Sequence, residues 1–172
     1  SFERIQSKGE LVVISRNSPT TYYLDKTGPT GFEYALAGLF AQELGVKLEM
    51  RPAFSLNGIF ETLQREDADF AAAGLTLTGQ RQALYPHSAP YYGLTPQVVY
   101  LASTYRPRET ADIEDMSIVV LAGSSHAEAL RALKHGGMPN LTWREIAEVD
   151  SMELLDLVNA GTAQLAIIDS NE

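Results

Sequence analysis

One stretch of the chain combines residue types that can bind a carboxylate or a phosphate. Residues 74–81 contain Gly74, the hydroxyls of Thr76 and Thr78, and the guanidinium of Arg81. Hydroxyls, backbone N–H groups at a helix start and a planar guanidinium together form a clamp for a small anion. A structural alternative is that the threonines are turn and cap residues and Arg81 is a solvated surface charge. Residue types alone leave both interpretations open.

A second possible anion site follows a later strand, at residues 123–126. Ser124 and Ser125 supply two hydroxyls there, between a strand and a helix. Plain N-capping by Ser124 is the structural alternative. Asp169 ends the last apolar strand, where it could bind an ammonium group or cap its own turn. Tyr22, in an early loop, could stack on a ligand or simply pack with its hydroxyl at the surface.

Composition and motifs argue against several other classes of function. The 172 residues include 22 acidic and 13 basic ones, and the net charge of −9 disfavours nucleic acid as a partner. The absence of cysteine excludes disulfides and thiolate metal sites. The histidines lack metal-binding spacing and there is no GxSxG elbow, so we expect neither a cofactor, a metal nor catalysis in this chain. GLTLTGQR has P-loop glycine spacing without the required Lys and Ser/Thr.

The first 75 residues alternate between strand and helix patterns that would position these side chains. Apolar runs predict strands at residues 11–14, 46–50 and 69–73. Helical spacing predicts one helix over 30–45 and a second from Ser55 or Asn57, and residues 16–30 are predicted to form a loop. This β-α-β-α-β order is typical of a parallel sheet with crossover helices.

The helix predicted over residues 30–45 has the clearest local signals. Thr30 as N-cap and Glu33 form a capping box, and Gly45 provides the stop. Its core-facing stripe is predicted to be Phe32, Leu36, Leu39, Phe40 and Leu44.

The second half of the chain repeats the same plan. Strands are predicted at 96–101, 117–121, 141–143 and 165–168, with helices over 127–134 and 152–159. Asp150 and Glu153 form a capping box for the last helix. The echo between the halves predicts two lobes, residues 1–95 and 96–172, joined near 93–97.

Three segments resemble the periplasmic amino-acid-binding protein family, the type II solute-binding proteins. They are GLTLTGQRQALYPHSAPYY, VVLAGSSHAEAL and LAIIDS. The resemblance implies an α/β, two-lobed periplasmic-binding-protein-like fold that closes on a small-molecule ligand. It implies that hydroxyls and an arginine hold the ligand carboxylate, and that an aspartate holds the amino group. With the loop residue Tyr22 added, the predicted ligand-binding residues are Tyr22, Gly74, Thr76, Arg81, Ser124, Ser125 and Asp169.

A narrower resemblance extends over nearly the whole chain. NSPTTYY, GPTGFEYALA, AAAGLT, AGSSH and DSNE together are similar to the solute-binding-like domain of membrane-bound lytic murein transglycosylases. That family implies a periplasmic, outer-membrane-associated parent in a Gram-negative bacterium, with a C-terminal lysozyme-like catalytic domain as partner. The implied role is regulatory: sensing a cell-wall-derived peptide or amino acid.

Two further expectations accompany this resemblance. Family members continue beyond the last strand seen here, so the fold is expected to be truncated before the chain returns to the first lobe. The alternative function is that of an amino-acid-binding receptor of an ABC transporter.

Overall fold

Helices packed on short sheets form both halves of the chain. The computed structural model describes residues 1–171, and the chain divides into unit 1, Ser1–Leu75, and unit 2, Thr76–Glu172. Glu172, the end of the predicted second lobe and of the DSNE motif, lies outside the described residues. The predicted boundary between residues 95 and 96 falls later than this division, which assigns residues 76–95 to unit 2.

Unit 1 is built around a parallel sheet of three strands in the order β4-β1-β5. Its helices are α1 (Phe2–Lys8), α2 (Phe32–Leu44) and α3 (Leu56–Gln64). Its strands are β1 (Glu10–Arg16), β2 (Tyr23–Asp25), β3 (Gly28–Thr30), β4 (Lys47–Ala53) and β5 (Phe70–Ala71). The predicted β-α-β-α-β order is found in β1-α2-β4-α3-β5, whereas α1 was not predicted. The predicted loop over 16–30 is wrong in part, because β2 and β3 form an antiparallel hairpin there.

The central strand β1 is buried on both faces, which explains its continuous apolar run. Leu11 and Val13 pack in one cluster with α1 and α2. Val12 and Ile14 point to the opposite face and pack against α3 through Ile59. Alternate side chains of a strand face opposite ways, so a central parallel strand covered by helices on both sides must be apolar throughout.

The start of α2 differs from the predicted capping box. Gly31, not Thr30, is the N-cap, with a φ of 127° that favours glycine. An added Cβ at Gly31 would collide with the backbone of Thr21, so a side chain is excluded there. Glu33 is buried and its carboxylate binds the N–H of Gly74, 41 residues away.

The buried face of α2 also differs from the predicted stripe. Ala37 and Ala41 are buried against the sheet, flanked by the partly buried Phe40 and Leu44. The remaining members of the predicted stripe are exposed: Phe32, Leu36 and Leu39. Small side chains let the helix approach the sheet closely, so the narrow alanine face is the one that packs.

Unit 2 contains a sheet of four strands in the order β6-β9-β7-β8. Its strands are β6 (Pro96–Val99), β7 (Ile118–Leu121), β8 (Trp143–Ile146) and β9 (Leu165–Asp169). Its helices are α4 (Gly79–Leu84), α5 (Ser125–His135) and α6 (Ser151–Asn159), with a 3-10 turn at Thr110–Ile113. Strands β7, β8 and β9 are parallel and β6 is antiparallel to β9.

The register of β7 and β9 brings two predicted site segments to one edge of this sheet. Ile118 pairs with Leu165 and Val119 with Ala166, so both strands end at the same side. The turn into α5 follows β7, and Asp169 is the last residue of β9. The carboxyl ends of parallel strands are where α/β proteins commonly bind ligands. The predicted Asp150–Glu153 capping box of α6 is confirmed.

Across residues 1–171, none of the helices combines the length and the apolar character needed to span a membrane.

A pair of substitutions in unit 1 tests the observed burial, with one residue buried in α3 and the other exposed in α2. Ile59 is 0% exposed and Leu39 is 65% exposed. We expect Ile59→Ala to lower the free energy of unfolding by about 2–5 kcal/mol, because it leaves a cavity in the core. Leu39→Ala should change it by less than about 0.5 kcal/mol. Urea denaturation followed by circular dichroism measures both, and a large loss for Leu39→Ala would restore the predicted stripe.

Candidate ligand-binding site

Arg81 is a buried cation that is fully engaged with protein acceptors. Its own N–H donates to the Oγ1 of Thr78, the N-cap of α4, at 3.2 Å. Its side chain is only 9% exposed. Nη1 donates to the carbonyl oxygen of Thr76 at 3.1 Å and Nη2 to that of Gly123 at 3.0 Å. The interpretation of Arg81 as a solvated surface charge is therefore wrong, whereas Thr78 does cap its helix.

The third acceptor of Arg81 is a carboxylate that the sequence pattern did not reveal. Nε of Arg81 donates to Oε1 of Glu128 at 3.0 Å, across 47 residues of chain. Glu128 lies in the first turn of α5. An acidic residue there is usually explained by the helix dipole, so the sequence offered no specific signal for this ion pair.

The two serines at the start of α5 have different structural roles. Ser124 is buried, and its Oγ accepts a hydrogen bond from the N–H of Ala127 at 3.2 Å. It is the N-cap, as the structural alternative predicted. Ser125 is the first residue of the helix and is half-buried, with no capping bond of its own. The ligand contacts predicted for both hydroxyls stay predictions.

Asp169 faces a histidine that the sequence pattern did not connect with it. The Oδ1 of Asp169 lies 3.4 Å from Nε2 of His126, and both side chains are largely buried. His126 is the second residue of α5, two positions before Glu128. When its imidazole is protonated, this contact is an ion pair.

Thr76 contributes its backbone to the same cluster. Besides its bond to Arg81, its carbonyl oxygen accepts from the N–H of Thr78 at 3.1 Å. The structure therefore brings Thr76, Arg81 and the turn before α5 together.

The remaining predicted site residues belong to unit 1. Gly74 adopts a left-handed conformation with a φ of 61°. Its N–H lies 2.9 Å from each carboxylate oxygen of Glu33, so this donor is already bound within unit 1. Tyr22 packs its ring against that of Tyr34, with ring centroids 5.9 Å apart. Each residue is held by neighbours of its own unit.

The chemistry gathered at this edge of unit 2 suits a zwitterion. A guanidinium fork matches a carboxylate, a carboxylate such as Asp169 matches an ammonium group, and serine hydroxyls can bind either partner. Within residues 1–171, no group of three or more His, Cys, Asp or Glu side chains is placed to hold a metal ion.

A pair of serine substitutions tests which of the two serines caps α5. Ser124→Ala removes the bond to the Ala127 N–H and should lower the free energy of unfolding by about 0.5–2 kcal/mol. Ser125→Ala removes no cap and should change it by less than about 0.5 kcal/mol. Thermal or urea unfolding of the two variants gives the comparison. Equal losses would contradict the assignment of Ser124 as the cap.

Proteins of known name have similar sequences. A membrane-bound lytic murein transglycosylase F from Ectopseudomonas mendocina (strain ymp) is 44% identical over 171 residues, covering 99% of this chain and 35% of the relative. A protein of the same name from Photobacterium profundum is 46% identical over 171 residues, covering 98% of this chain and 33% of the relative. The chain thus spans about a third of the length of these relatives. The resemblance to membrane-bound lytic murein transglycosylases is therefore confirmed over nearly the whole chain.

Solved structures share the fold. An amino acid ABC transporter substrate-binding protein from Streptococcus pneumoniae, bound to L-arginine, is 25% identical with a TM-score of 0.78, covering 98% of this chain and 70% of that one. Holo ArgBP from T. maritima is 23% identical with a TM-score of 0.83, covering 99% and 74%. The predicted type II periplasmic-binding-protein-like fold is confirmed.

The sequence profile of one protein family matches most of the chain, over residues 11–167. The family is described as bacterial extracellular solute-binding proteins, family 3. Because the match spans well over half of the chain and agrees with the fold, the chain belongs to the bacterial extracellular solute-binding proteins, family 3.

Proposed function

We propose that this chain is the regulatory ligand-binding module of a peptidoglycan lytic transglycosylase, sensing a cell-wall-derived peptide or amino acid. The observation that carries the proposal is the buried guanidinium of Arg81, which already holds one carboxylate at 3.0 Å. A guanidinium N–H that binds a carboxylate of the protein can also bind the carboxylate of a ligand, because the acceptor group is the same. Membership of a solute-binding family supports this use of the site.

The predicted contacts divide between the two charged groups of the ligand. Arg81 binds the ligand carboxylate, with hydroxyls of Thr76, Ser124 and Ser125 as further donors. Asp169 binds the ligand ammonium group. Gly74 and Tyr22, the remaining predicted contacts, belong to unit 1, where the N–H of Gly74 is held by Glu33.

The parent protein and its location are part of the proposal. The similar relatives named membrane-bound lytic murein transglycosylase F support a periplasmic parent, associated with the outer membrane, in a Gram-negative bacterium. We assign peptidoglycan cleavage to a C-terminal lysozyme-like domain of that parent, outside this chain. Ligand binding would regulate that domain by favouring a closed arrangement of the two lobes, provided that the ligand binds this arrangement more tightly.

A second candidate function is that of an amino-acid receptor for an ABC transporter. The similar protein from Streptococcus pneumoniae is described as an amino acid ABC transporter substrate-binding protein, which favours this alternative. The two functions differ in the consequence of ligand binding. A sensor changes the rate of peptidoglycan cleavage by its full-length parent, whereas a receptor supports uptake by a permease.

The binding site is tested by replacing Arg81 with lysine, which keeps the charge and removes the fork. The probes are L-arginine and a stem tripeptide of peptidoglycan, titrated into the 172-residue chain by calorimetry. We expect Arg81→Lys to weaken binding about tenfold or more, since one charge-assisted hydrogen bond of the pair is lost.

Arg131→Lys is the matched control, because Arg131 is half-exposed and pairs with Glu145 elsewhere on unit 2. Its affinity for both probes should equal that of the unmodified chain. Circular dichroism confirms that each variant is folded. Equal affinities for Arg81→Lys and the control would remove Arg81 from the site.

A further inference from the structure

Arg81 and Asp169, the two charged residues proposed to bind the ligand, each already contact a side chain from the first turn of α5. Glu128 binds Arg81, with side chains 9% exposed for the arginine and 19% for the glutamate. His126 lies against Asp169 at 3.4 Å. The carboxylate of Glu128 and the imidazole of His126 therefore stand where the carboxylate and ammonium groups of an amino acid would bind.

Each of the three nitrogens of the Arg81 guanidinium has a protein acceptor. Nε binds Glu128, Nη2 binds the carbonyl oxygen of Gly123 and Nη1 binds that of Thr76. Nε carries a single N–H, so a ligand carboxylate that takes up two parallel N–H···O bonds on the edge containing Nε has to replace Glu128.

Glu128 is the acceptor that a ligand can replace. The carbonyl groups of Thr76 and Gly123 belong to the backbone of turns, whereas Glu128 is a side chain with rotatable bonds and some exposure. A ligand carboxylate next to an unmoved Glu128 would also place two negative charges close together in a poorly solvated site, which is unfavourable.

Resting on the proposed function, we propose that Glu128 is an internal competitor for Arg81 and so determines which ligands bind. A carboxylate ligand occupies Arg81 only by displacing the carboxylate of Glu128. The free energy of the Arg81–Glu128 pair is thus subtracted from the binding of every such ligand. Ligands that offer a carboxylate and little else bind weakly, and those with additional contacts are selected.

The experiment removes the charge of Glu128 and keeps its shape. L-arginine is the probe, titrated calorimetrically into the chain and into Glu128→Gln. We expect Glu128→Gln to bind L-arginine about tenfold more tightly, because a neutral amide competes for Arg81 less well than a carboxylate. Glu128→Asp, which keeps the charge and shortens the side chain, should give a smaller gain and serves if the glutamine variant does not fold.

Glu145→Gln is the matched control, since it removes the same charge from another glutamate paired with an arginine in unit 2. Its affinity should not change. A second measurement is the Nε–H signal of Arg81 in a ¹⁵N-edited NMR spectrum, identified by its loss in Arg81→Lys. This signal should shift in Glu128→Gln and again when L-arginine is added.

The possible outcomes separate this inference from the proposed function. If Arg81→Lys weakens binding but both Glu128 variants bind L-arginine as the unmodified chain does, Glu128 is no competitor and the proposed function stands. If Arg81→Lys leaves the affinity for L-arginine unchanged, or if no variant binds L-arginine, the proposed function is overturned and this inference with it. Tighter binding by Glu128→Gln and not by Glu145→Gln supports both.

Discussion

The need to satisfy a buried guanidinium organises the site in unit 2. A charge taken out of water is costly unless it is paired and hydrogen-bonded. Arg81 meets this requirement with acceptors from three places: the turn before α4, the turn after β7 and the first turn of α5. The last two segments are neighbours in the sequence and lie 42 and 47 residues beyond Arg81, so this one side chain connects the start of α4 with the start of α5.

The start of α5 makes three different contacts through alternate residues. Ser124 caps the helix, His126 faces the end of β9, and Glu128 faces α4. A substitution here changes the stability of unit 2 and the properties of the site together. Binding sites are commonly supported in this way, by neighbours that fix the geometry of the groups contacting the ligand.

The sequence predicted those features that depend on local signals. The order of strands and helices, the Asp150–Glu153 capping box and the stop at Gly45 all depend on residues close in the chain. Contacts across long separations were not predictable. The capping-box pattern of Thr30 and Glu33 is local, yet Glu33 binds Gly74.

The errors over α2 and over the site have a common physical origin. Side-chain size and charge can be read from the sequence, whereas the partner that each side chain meets depends on the tertiary fold. For α2, large apolar residues suggested the core face, but the closest approach to the sheet is made by Ala37 and Ala41. For the site, Arg81 was predicted to bind a ligand carboxylate, which stays a prediction, and only the fold identifies Glu128 as the protein carboxylate that it holds.

The segment from Gly74 to Arg81 is anchored by a carboxylate at each end. Glu33, in the first turn of α2, binds the N–H of Gly74, and Glu128, in the first turn of α5, binds Arg81. The two anchors differ in burial, since Glu33 is buried and Glu128 is partly exposed. A group that is completely enclosed exchanges its partner less readily than one that water can reach. A ligand that replaces Glu128 would therefore act on this segment at its Arg81 end, while the Gly74 end stays bound.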